Sequence, residues 1–75
     1  MNQTFTALIR REDDMFVSLC TELDIASQGA SITEARENLK EAIELFLEEA
    51  SDTEIAERIH KEQYISNIEV AVAEA

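Results

Sequence analysis

A chain of 75 residues with one cysteine and one histidine has to fold without the staples on which small domains rely. One thiol cannot close an intramolecular disulfide, and one Cys with one His cannot build a Cys/His zinc cage. A domain of this size buries only about 60% of the surface its unfolded chain exposes. A core below about 70–80 residues rarely supplies more than ~3–5 kcal/mol. The expected remedy is burial against another chain, as a homo-oligomer, with a different partner, or both. At 45% hydrophobic residues the sequence is too apolar for an acidic disordered tail, so it should fold.

Charge narrows the partners. Six Lys and Arg stand against 17 Asp and Glu, a formal net charge of −11. Direct nucleic-acid binding needs clustered cations and is not expected. Anionic membranes repel such a surface, and no apolar run approaches the roughly 18 residues of a spanning helix or forms a signal-peptide core. The expectation is a soluble cytoplasmic protein that binds other proteins and needs no cofactor or metal.

With no proline and only Gly29, the chain offers no linker, and it shows neither low-complexity sequence nor an internal repeat; residues 1–75 read as one domain. From Gln3 to Arg11, Phe5, Ala7 and Ile9 alternate with Thr4, Thr6 and Leu8, the period of a strand. Glu12-Asp13-Asp14 interrupts the pattern and Met15 to Cys20 resumes it, which predicts an antiparallel hairpin. A third extended stretch, Ile25 to Gln28, runs into Gly29, expected to take a positive φ where sheet gives way to helix. Ser31 and Glu34 have capping-box spacing, and Ala35, Leu39, Ala42, Ile43, Phe46 and Ala50 fall on one helical stripe. Ser51-Asp52-Thr53-Glu54 starts a second, shorter helix carrying Ile55 and Ile59 to about Glu62. Ile65 to Ala73 alternates Ile68, Val70 and Val72 with Asn67, Glu69 and Ala71, a fourth strand expected beside the first. The order β-β-β-α-(α)-β makes a two-layer α+β sandwich with a mainly antiparallel sheet, whose exposed edge would invite pairing between chains.

The middle of the chain resembles the HicB antitoxin family. The matching residues are Phe16-Val17, then Cys20, Glu22 and Leu23 of a Cys-x-Glu-Leu element, and the Ser27-Gln28-Gly29 turn. A helix with Thr33, Glu37, Asn38, Leu39, Glu41, Ala42 and Ile43 completes the likeness. The chain departs from the family pattern at Met15, Thr21 and Ala30-Ser31, where Gly, Pro and Asp-Thr are usual. The resemblance implies a degenerate ribonuclease-H-like fold and the N-terminal HicB domain without the DNA-binding domain that many members carry. It implies a basic HicA-like messenger-RNA-cleaving toxin as partner and no catalysis. A self-assembling HicB-like module with no toxin partner is the alternative.

Two groups of residues are candidates for a binding surface. Glu37, Glu41, Glu44 and Glu48, spaced four, three and four apart, project from one strip opposite the apolar stripe. They repel one another by a few tenths of a kcal/mol per pair, with Lys40 placed to offset some of it. The strip is either a solvated face or an electrostatic mate for a basic partner, raising on-rate and selectivity. Leu45 and Leu47 flank the stripe on opposite sides and either widen the sheet contact or face an oligomer or partner. Glu12, Asp13 and Asp14 lie consecutively in a turn, whereas a two-metal site needs carboxylates from separate elements. Cys20 and His60 have no active-site context; the thiol is expected as a small buried hydrophobe and the imidazole in solvent.

Overall fold

The computed structural model describes residues 3–60 and 62–73. Three strands, β1 (Ala7–Glu12), β2 (Met15–Cys20) and β3 (Ile25–Gly29), precede two helices, α1 (Ile32–Glu49) and α2 (Asp52–Arg58). The strands form an antiparallel sheet in the order β1-β2-β3, so β1 and β3 are its edges. The fold is a small α+β sandwich. Register places Cys20 opposite Ala7 and Ile25, and Ser18 opposite Ile9 and Ser27, on the face that α1 covers.

That face explains how α1 sits so close to the sheet. Ser18 and Gly29, both small, meet Ala35 in the helix's first turns, and the buried Ser18 hydroxyl donates to the Ala35 carbonyl at 2.9 Å. Gly29 has no positive φ, contrary to the expectation for it. Its role is proximity: a Cβ there would lie 2.5 Å from the Ala35 backbone nitrogen. The positive φ values fall at Asp13 (54°) and Asp24 (55°), one in each β-turn, where short polar side chains tolerate the left-handed region. Beyond the small-residue end the layers are wedged by Cys20, Leu23 and Leu39, packed by Phe5, Ile25, Ile43, Phe46 and Ile59.

Caps fix the helices where the sequence places them. Ser31 Oγ accepts from Glu34 N at 3.1 Å, and Glu34 Oε1 reaches back to Ala30 N at 3.1 Å, one residue before the N-cap whose N–H a standard capping box would use. Ser51 Oγ caps Glu54 N in the same way. The second helix ends at Arg58 rather than near Glu62. Ile59 turns into the core, and His60 N then donates to Glu22 O at 2.6 Å, which withdraws that amide from the helical ladder.

The expected fourth strand is not formed within the chain. Among the described residues, 62–73 has no strand pairing, and Ile65, Ile68, Val70 and Val72 are 76%, 83%, 70% and 86% exposed. The anchor before it supplies the reason. His60 and Gln63, whose Nε2 donates to Thr21 O at 2.7 Å, tie the chain to the β2–β3 turn, at the end of the sheet. From there the backbone leaves without lying along either edge. Strand β1 is likewise shorter than its pattern: residues 3–6 precede it without ladder pairing.

Candidate functional site

Three features of this fold could bind something: the outer face of α1, the flank between α1 and β1, and the β2–β3 turn. On α1, Glu37, Glu41, Glu44 and Glu48 are all exposed, on the side away from the buried Ala35 and Leu39. Among the described residues only Glu37 of these four has an ion pair, with Arg36 at 3.3 Å. The strip is therefore a line of carboxylates facing water with one near-neighbour cation partner. No basic residue occupies the last turn of α1, so the negative end of the helix dipole adds to the same field.

Leu45 and Leu47 separate as the helical geometry requires. Leu45 is 51% exposed and lies toward β3, the flank on which Asn38 Nδ2 donates to Gln28 O at 2.8 Å. Leu47 is half-buried on the opposite flank, where it lines a groove of about 580 Å³ with Phe5, Ala7, Leu39 and Ile43, rimmed by Arg36, Lys40 and Glu44. The groove lies between α1 and residues 3–6, and it meets β1 only at the strand's first residue, Ala7. The sequence pattern indicated these apolar side chains but not the groove, which exists because α1 packs mainly over β3 and β2 and overhangs β1.

The turn Thr21–Asp24 gathers hydrogen bonds from three parts of the chain: Thr6, Arg58, and His60 with Gln63. Glu22 accepts from Thr6 N at 2.8 Å and from Thr6 Oγ1 at 2.7 Å, with Cys20 Sγ donating at 3.6 Å. Partial burial pushes the Glu22 carboxyl up, but the Thr6 hydrogen bonds outweigh it, and the group titrates below its ordinary range. Arg58 crosses from α2, donating to Leu23 O at 2.9 Å and Asp24 O at 3.3 Å while its guanidinium lies 5.2 Å from the Phe46 ring centroid. These contacts close carbonyls left open by the turn and fasten α2 to the sheet. They are structural in kind. Only the Cys-x-Glu-Leu spacing marked Glu22 in the sequence, and nothing there marked Thr6 or Arg58 as its neighbours.

Cys20 and His60 are not brought together as a reactive pair. Burial pushes the Cys20 thiol above its ordinary value, and its side chain contacts Glu22; the His60 Nε2 instead meets Asp24 Oδ2 at 2.8 Å in solvent. Glu12, Asp13 and Asp14 are exposed at the hairpin, with Glu12 paired to Arg10 at 3.6 Å. Among the described residues no three His, Cys, Asp or Glu side chains are grouped as a metal cage requires, and no helix is long and apolar enough to cross a membrane. Compared with family models, characterised proteins and solved structures, the chain finds no match.

Proposed function

We propose that this chain is a HicB-like antitoxin-type binding protein, a non-catalytic cytoplasmic module with a degenerate ribonuclease-H-like ancestry. In this reading it neutralises a small basic HicA-like ribonuclease by covering the cationic surface with which that enzyme holds RNA. The observation that carries the reading is the exposed carboxylate line Glu37, Glu41, Glu44 and Glu48 on a rigid two-layer frame. A ribonuclease that grips messenger RNA presents cations, and an ordered anionic ridge competes for them without chemistry of its own. The HicB-like residues from Phe16 to Ile43 lend support independently of charge.

The test is inhibition. Purification from the native host should bring down a small basic protein in near-equal amount, and the isolated chain should stop that protein's RNA cleavage when added back. Replacing Glu41→Lys and Glu44→Lys should slow association by about tenfold or more at low salt, since exposed charges act chiefly on the rate of encounter. Undiminished cleavage in the presence of excess chain would sink the reading, and an unchanged on-rate would remove the ridge from it.

A further inference from the structure

The α1–β1 groove and residues 65–73 are two unsatisfied surfaces of opposite shape. Strand β1 has a ladder partner on one side only, so N–H and C=O groups of alternate residues point outward from its free edge. At the start of that edge α1 overhangs, and Leu39, Ile43 and Leu47 make an apolar roof over Ala7 and the residues 3–6 that lead into it without ladder pairing. A strand added to β1 would close both openings at once. To fit, it needs apolar residues at every second position toward the helix; the outer face is mixed, with Leu8 and Arg10 on β1 beside Val17 and Leu19 on β2, and accepts both polar and apolar side chains.

Residues 65–73 meet that specification. Ile68, Val70 and Val72 share one face, and Ile65, Asn67, Glu69 and Ala71 the other; the segment has no pairing of its own, and its apolar side chains lie in water. It is also held out from the body. The radius of gyration is 15.2 Å, with extents of 51 × 29 × 18 Å, against about 11 Å for a compact chain of this length. Charge agrees on the outer face, where the incoming Glu69 would stand with Arg10; the groove rim is mixed, with Arg36, Lys40 and Glu44.

We infer that two copies of this chain exchange residues 65–73, each adding its segment as a fourth strand to the β1 edge of the other, beneath α1. The occupant is a second copy because the matching strand is part of the same sequence. Exchange about a two-fold axis fills both α1–β1 grooves and pairs both β1 edges in a closed dimer. The groove is incomplete without the partner's strand. This inference does not rest on toxin binding, and its test uses the purified chain alone.

Two differently tagged full-length variants decide it. Both carry Cys20→Ala, since the native thiol stands opposite Ala7; one adds Ala7→Cys on the β1 edge, and the other adds Ile68→Cys, Val70→Cys or Val72→Cys, the three positions that keep the apolar face inward. After mixing and mild oxidation, one of the three should give a disulfide joining the two tags, which strand addition within one chain cannot produce. Light scattering should give twice the chain mass for the unsubstituted protein. Val70→Pro, which removes a ladder donor while leaving β1–β3 and α1 untouched, should shift the assembly to the monomer mass with its circular dichroism kept. A monomer at all concentrations, or a dimer in which none of the three positions links, would overturn the inference.

Discussion

In β2, the alternation of Phe16, Ser18 and Cys20 with Val17 and Leu19 ends in a thiol with no exposed surface; in residues 65–73, Ile68, Val70 and Val72 alternate with Asn67 and Glu69 and remain at least 70% exposed. The patterns are alike. The difference lies in what brings a partner alongside. Turns of two and four residues return the chain antiparallel on both sides of β2, and Gly29 and the Ser31 cap then lay α1 on the sheet. The last segment follows α2, whose exit is pinned to the β2–β3 turn by His60 and Gln63, so it approaches no edge of its own sheet. Period-two patterning states that one face needs burial, and the neighbouring connections decide which surface provides it.

The sharpest way to break this comparison is to truncate one side chain in each region. Leu39→Ala should cost about 2–5 kcal/mol, since Leu39 is 2% exposed at the centre of the Cys20–Leu23 cluster. Against the ~3–5 kcal/mol that a core of this size provides, that is enough to leave much of the protein unfolded at 25 °C. Urea titration followed by circular dichroism measures it. Equal loss from Ile68→Ala in dilute protein would mean that the two regions are equally packed.

A smaller effect probes how the turn anchors the contrast. The Glu22 carboxyl titrates below its ordinary value of 4.5 because the Thr6 hydrogen bonds favour its charged form. A depressed folded-state pKa contributes stability that is fully present above the unfolded value and is lost as pH falls below it, through the folded one. Unfolding free energy should therefore decline on acidification below about pH 4.5. Glu22→Gln should lower stability at pH 7 by about 1 kcal/mol and lose less on acidification than the unsubstituted chain. Parallel pH profiles for the two proteins would show that Glu22 is no anchor.

Much of this architecture was legible in the residues. The hairpin, the Ser31 and Ser51 caps and the Ala35-to-Ala50 stripe are local signals, each acting over one turn or one pair of strands, and they stand where expected. The carboxylate strip was legible for the same reason: a helix places residues three and four apart on one face. What escaped depends on contacts between distant residues. The close approach that dictates Gly29, the Thr6–Glu22 bonds, the Arg58 bridge and the groove below Leu47 all come from how α1, α2 and the sheet meet, and no periodicity within a single element encodes them. The fourth strand lies between these cases, since its pattern is local and its partner is not.

The smallest effect bears on the comparison most directly. In protein dilute enough to be monomeric, Val70→Asp should change the unfolding free energy by no more than about 0.5 kcal/mol, because the side chain is 70% exposed and touches no core cluster. The same substitution should matter only as concentration rises: the unsubstituted chain gains stability by mass action as copies associate, and the variant, with a charge on the face that must enter the groove, does not. Denaturation curves over a hundredfold range of concentration separate the two outcomes. A loss that is already full in the most dilute sample would place Val70 in the core of its own chain and erase the distinction between the regions. A gap that opens only with concentration would locate the missing burial between molecules.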